Sequence, residues 1–266
     1  MHKEVISLQD STDKLLNLIK NLPYLDDISE AGFLFSGGMD STLLAAVLRN
    51  RLHAKIYCAG TAGSADMVHA RHMATRLNIP LVEIVASPED VKESAEKVIT
   101  TFTDKFHRPP SYLELSIYAP LYFALSSICE KIVVSGQGAD ELFGGYNRYV
   151  RMDGIELERR MNADALELLS SGIERDRIIA GACGKKLLTP YLSESIVEFA
   201  KALPLSHKIC NGQRKVVIVE ALKSLGLTPF PKKAMQYGSG FEKGLSAAGY
   251  RKDERLLKGS PVAHFK

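Results

Sequence analysis

Residues 33–42 read FLFSGGMDST: an apolar run that stops at two adjacent glycines and is followed by a carboxylate and two hydroxyls. An apolar stretch ending in Gly37-Gly38, then a run in which Leu43, Leu44, Val47 and Leu48 recur at helical spacing, reads as strand–turn–helix. Glycines at such a turn let backbone N–H groups approach an anion that a Cβ would block. The helix that starts near Asp40 adds its positive end. Ser36, Ser41 and Thr42 offer hydroxyl donors, so the segment is expected to cradle phosphate. Asp40 would be repelled by phosphate unless a cation lay between them, which predicts Mg²⁺ there.

Outward from this turn the alternation continues. AKIYCAG and IPLVEIV read as strands, and SADMVHARHMATRLN and SPEDVKESAEKVITTF as helices. Ser64 is expected to cap the first of these helices. Ser87 is expected to cap the second, with Pro88 in its first turn. LELSIYAPLYFALSSICE and KIVVS extend the rhythm. The fold class expected is α/β, a doubly wound parallel sheet with helices on both faces. Past Arg151 the strand signals stop, and the remaining runs read as helices broken by Gly or Pro. The division expected is an N-terminal helical segment (1–30), an α/β core (31–150), a helical lobe packed on it (151–245) and a basic tail (246–266).

Bulk properties exclude several classes. The 266 residues are 45% hydrophobic and 24% charged, with net charge +3, which is ordinary globular composition and too mild a charge to argue for nucleic acid or a membrane surface. No apolar run approaches a membrane span and the start lacks a signal-peptide centre, so a cytoplasmic protein is expected. The four cysteines are scattered without a C-x-x-C pair, which argues against a zinc ribbon or a disulfide framework. His69 and His72 are expected to be surface histidines, not metal ligands.

A second glycine-rich corner, VVSGQGADELFGGYNRY (Val133–Tyr149), again ends an apolar run with small residues and then supplies acids. Gly136 and Gly138 permit close backbone approach, Ser135 and Gly136 are expected among the ligand-binding residues, and Asp140 is expected to face Asp40 across adjacent strand ends. Asp140 is expected as the second metal ligand, with Glu141 orienting and not reacting.

The S-G-G-x-D-S of the first corner matches the signature of the PP-loop ATP pyrophosphatases, which implies ATP as the bound phosphate. The second corner resembles the S-G-E-G-[AS]-D-E-[LV]-F-G-G-Y segment of asparagine synthetases. GACGKKLLTPYLSESIVEFAKALP follows that family's G-x-E-x-R-x-P-[FY]-L-D pattern, and PFPKKAMQYGSGFEK resembles its late lysine segment. The resemblance implies a ligase that adenylates a carboxylate, aspartate in the family, releasing pyrophosphate. Ammonia then displaces AMP. By the same resemblance Lys232 or Lys233 offsets charge on the pyrophosphate, and Gly60 and Gly136 line the adenine.

The departures are specific. Gln137 stands where the family has a glutamate that handles the amine proton, and an amide cannot take a proton at neutral pH. Lys186, Leu188 and Ser193 replace the pattern's Glu, Arg and Asp. Position 2 is His and only some 30 residues precede the first corner, so the family's glutaminase is not expected in this sequence. Ammonia is therefore expected from solution or a separate subunit. Small-molecule substrates are the expected partners; neither membrane nor nucleic acid is, and a homo-oligomer stays open. The alternatives are an ATP-binding regulatory subunit altered in catalysis, which Gln137 and Lys186 motivate, and a PP-loop tRNA-modifying enzyme.

Overall fold

The structure is a computed structural model and describes residues 6–228 and 238–250. Five parallel strands form one sheet: β1 (Gly32–Leu34), β2 (Lys55–Thr61), β3 (Leu81–Ala86), β4 (Ile132–Val134) and β5 (Lys186–Leu188), in the order β3-β2-β1-β4-β5. Helices cover both faces, as a sheet of parallel strands requires. On one side lie α1 (Leu8–Lys20), α2 (Met39–Leu48) and α3 (Ala65–Leu77), whose Leu15, Leu44 and Met73 join one core with Phe33 and Val134. On the other lie α4 (Pro88–Phe106) and α5 (Tyr112–Ser127), whose Val98, Phe102 and Leu115 join a second core with Tyr57 and Val133.

Local chemistry accounts for the helix starts. Ser87 caps α4 with Pro88 in its first turn, as the sequence predicts, and Asp90 completes a reciprocal capping box. Ser111 and Glu114 do the same for α5. Ser64 stands at the cap position of α3 but makes no side-chain cap bond.

The second half of the chain differs from expectation in one respect. Strands do not stop at Arg151: β5 returns to the main sheet and pairs with β4, and a short hairpin, β6 (Ile209–Cys210) with β7 (Gln213–Arg214), follows later. Lys-Leu-Leu is too short for a periodic signal; the strand exists because β4 presents it an unpaired edge. The helices here are α6 (Ala139–Phe143), α7 (Gly154–Glu167), continued by a wide turn (Leu168–Gly172) into α8 (Ile173–Ala182), then α9 (Glu194–Ala202), α10 (Leu205–Lys208), α11 (Val216–Ser224) and α12 (Phe241–Ala247). Of these, α7, α8, α9 and α11 fall in runs that read as helices, whereas α10 and α12 do not. They are not all set apart. Val217, Ile218 and Leu222 of α11 are buried in the same core as Leu15 and Leu44, so this helix completes one face of the sheet.

The order 3-2-1-4-5 fixes where a ligand can bind. The chain leaves β1 toward β2 on one side and returns as β4 on the other, so the switch point lies between β1 and β4, above their carboxyl ends. Both glycine-rich corners follow those two strands.

Candidate active site

The first corner turns from β1 into α2 through Ser36, Gly37 and Gly38. Gly37 has φ +67°, and a Cβ there would lie 2.5 Å from the carbonyl of His69 on α3. Only glycine fits, so the turn packs directly on α3. Gly38 is the N-cap of α2 and offers no side chain, which leaves the first N–H groups of the helix without side-chain acceptors. Ser36 and Ser41 face one another at 3.4 Å. Thr42 is 1% exposed, its Oγ1 without a hydrogen-bond partner among the described residues. The fully buried Tyr191 donates its hydroxyl proton to the Asp40 carbonyl at 3.1 Å and ties the first turn of α2 to the segment after β5.

The second corner lies against the first. A Cβ at Gly136 would stand 3.1 Å from the Cβ of Asp40, so the approach of the two turns depends on that glycine. Ser135 extends β4 by donating its N–H to the Leu188 carbonyl, and its Oγ accepts from the Gln137 N–H at 3.3 Å. The Gln137 side-chain amide makes no hydrogen bond among the described residues.

Asp40 and Asp140 converge on a residue that the sequence reading passed over. The Lys215 ammonium lies 2.6 Å from both carboxylate oxygens of Asp40 and 2.7 Å from Asp140 Oδ1. Its side chain is 4% exposed, against 25% for Asp40 and 45% for Asp140. Burial alone would lower the pKa of this ammonium. The two carboxylates outweigh burial, and the pKa ends above its ordinary value, so Lys215 is charged. Lys215 is also the N-cap of α11, in the left-handed conformation at φ 54°, a backbone cost of about 1–2 kcal/mol. A cation at a helix N-terminus opposes the helix dipole. That was the signal available in QRKVVIV: a lysine placed just ahead of a buried aliphatic helix needs anions nearby.

Behind Asp140 the corner is braced by aromatics. Glu141 is 7% exposed and accepts from the Tyr146 hydroxyl at 2.5 Å. Burial raises its pKa, and the Asp140 charge adds to the effect against the Tyr146 bond. The Arg148 guanidinium lies 4.0 Å over the Tyr146 ring and pairs with Asp164, to which Tyr149 and Arg160 also donate. The arginines of this run thus serve packing as much as they face solvent.

The remaining site residues are placed unevenly. Gly60, at the end of β2, is buried: a Cβ there would meet Ser64 Oγ at 2.7 Å and the Ser239 carbonyl at 2.8 Å. The same carbonyl accepts from the Thr61 N–H. Lys232 and Lys233 lie outside the described residues. His69 is half-buried and His72 exposed, and no cluster of three or more His, Cys, Asp or Glu side chains that could hold a metal occurs among the described residues. Two carboxylates do suit Mg²⁺, which takes one or two carboxylates and completes its shell with water and phosphate oxygens. The donor set of Asp40 and Asp140 therefore fits the ion, with the Lys215 ammonium as their present counter-charge.

Sequence comparison places this geometry. The sequence model of the asparagine synthase family matches residues 25–162, just over half of the chain and both glycine-rich corners. The chain belongs to this family. A Methanocaldococcus jannaschii protein named as a glutamine-hydrolysing asparagine synthetase is 29% identical over 89% of this chain and 51% of its own length. An asparagine synthetase domain-containing protein of Saccharomyces cerevisiae is 23% identical over 94% of this chain and 54% of its own. A human asparagine synthetase domain-containing protein is 36% identical over 41% of this chain and 19% of its own. The chain thus spans about half the length of the first two. No helix among the described residues is long and apolar enough to cross a membrane.

Proposed function

We propose that this chain is an ATP-dependent, AMP-forming carbon–nitrogen ligase that activates a carboxylate, with aspartate as the first candidate. The observation that carries the reading is the meeting of Asp40 and Asp140 on Lys215, above two glycine corners at the switch point of the sheet.

The roles follow from the geometry. The N–H groups of the first corner and the start of α2 receive phosphate oxygens, with the Ser36 and Ser41 hydroxyls beside them. Asp40 and Asp140 would hold Mg²⁺, which lowers the charge on the departing pyrophosphate. Lys215 keeps the two carboxylates within one ion's reach and adds positive charge where the leaving group develops negative charge. The substrate carboxylate oxygen attacks the α-phosphorus, and the bond from that phosphorus to the pyrophosphate oxygen breaks. Ammonia, from solution or a separate subunit, then attacks the acyl carbon, and AMP leaves with the bonding pair. Gln137 cannot accept the ammonium proton, so it passes to solvent or to the departing phosphate.

Pyrophosphate release with ATP, Mg²⁺, aspartate and ammonium is the direct test. Release that depends on the carboxylate supports the ligase, and no release with any carboxylate rejects it. Gln137 also favours a second reading, an ATP-binding regulatory subunit. ATP binding without AMP formation would decide for that one.

A further inference from the structure

Three of the departures from the family pattern, Lys186, Leu188 and Ser193, line one recess on the open side of β5. Its volume is about 590 Å³, within the span of small-molecule sites. Tyr24, Arg177, Lys185 and Leu187 also line it, and no acidic residue does among the described residues. The pattern's Glu, Arg and Asp would give those three positions a net negative charge; here they are net positive.

Four features of the recess suit an anion. Arg177 and Lys186 are exposed and in no ion pair among the described residues. Lys185 directs its ammonium to the carbonyls of Ile128 and Cys129, so its charge is held in place at the floor of the sheet. Lys186 N–H and the Leu188 carbonyl both bond toward β4. By the alternation of a parallel ladder, the N–H of Leu187 therefore points away from β4, toward the open edge. Finally, Ser193 Oγ is buried with no hydrogen-bond partner among the described residues, and a buried hydroxyl left unpaired is unfavourable.

We propose that this recess is a binding site for a small dianion, a phosphate monoester or a dicarboxylate, separate from the phosphate cradle at the switch point. Arg177 and Lys186 supply the charge, and the Leu187 N–H and Ser193 hydroxyl supply directed donors. The site adjoins the second corner: Leu192, in its wall, places its methyl groups where a side chain at Gly138 would stand. The proposal rests on this recess alone and does not depend on the ligase reading.

The test is isothermal titration of the whole chain with glycerol 3-phosphate and, separately, succinate, after the cradle has been filled with Mg²⁺ and a non-hydrolysable ATP analogue. The expected result is saturable one-to-one binding of at least one probe with a dissociation constant below about 1 mM, an affinity of about 4 kcal/mol. In the double variant Arg177→Glu/Lys186→Glu that affinity falls at least tenfold. In Lys186→Ala it falls about threefold, with the melting temperature unchanged because both side chains are exposed. The probe that binds more tightly identifies the ligand class. Displacement of the probe by the ATP analogue, equal binding in the variants, or no binding of either probe overturns the proposal.

Discussion

Lys215 and Asp40 stand 175 positions apart in the chain and meet at 2.6 Å. That contact, with Asp140 on its other side, joins the start of α11 to the two strand ends that hold the glycine corners. The ammonium lets two carboxylates face one crevice without mutual repulsion, which at about 4 Å and an effective dielectric near 20 would cost about 4 kcal/mol.

Replacing Lys215 by Met should therefore cost stability and turnover together. The stability loss expected is about 1–3 kcal/mol, below that of a fully buried pair, because Asp140 keeps 45% exposure. Thermal melting with and without Mg²⁺ reads the cause: the ion should restore more stability to the variant than it adds to the wild type. Equal Mg²⁺ response in both would reject the shared-charge account.

Asp40→Asn and Asp140→Asn should be non-additive in pyrophosphate release. Each single change breaks the same constellation, so a double-mutant cycle is expected to give a coupling of about 1–3 kcal/mol. Additive losses would mean that the two carboxylates act independently.

Gly37→Ala places a Cβ 2.5 Å from the His69 carbonyl in a backbone with φ +67°. Left-handed strain alone costs about 1–2 kcal/mol, and the clash must be relieved by moving the turn or α3. ATP affinity should fall at least tenfold while circular dichroism stays near wild type, since the turn and not the sheet carries the change.

Gln137→Glu should restore a proton acceptor where the family pattern has one. Ammonia-dependent amide formation is expected to rise, with carboxylate-dependent ATP–pyrophosphate exchange unchanged, because activation does not need that base. Matched changes in both half-reactions would place residue 137 elsewhere in the mechanism.

Asp176 on α8 offers a pH test. Burial, reinforced by the Glu141 charge, pushes its carboxyl from the ordinary 3.8 to about 7. A folded-state pKa above the unfolded value means the folded chain holds the proton longer, so stability falls as pH rises from about 4 to 7 and stays lower above. The step corresponds to about 4 kcal/mol at most. Asp176→Asn should raise the melting temperature at pH 8 relative to the wild type, and the difference should vanish below pH 4.

The sequence by itself determined the sheet-and-helix rhythm through β4, the Ser87 cap of α4, and the two corners with Asp40 and Asp140. These are local signals: small residues where a turn must form, apolar residues at period 3.6, acids next to a helix start. The tertiary structure alone decided that Lys-Leu-Leu at 186–188 is the fifth strand, because three residues carry no periodicity and only the open edge of β4 gives them a partner. It also decided that Lys215 is the cation of the site and that Lys186, Leu188 and Ser193 share one recess. Contacts between distant segments depend on how helices and strands pack, and a string of residue types does not record which side chains the packing brings face to face.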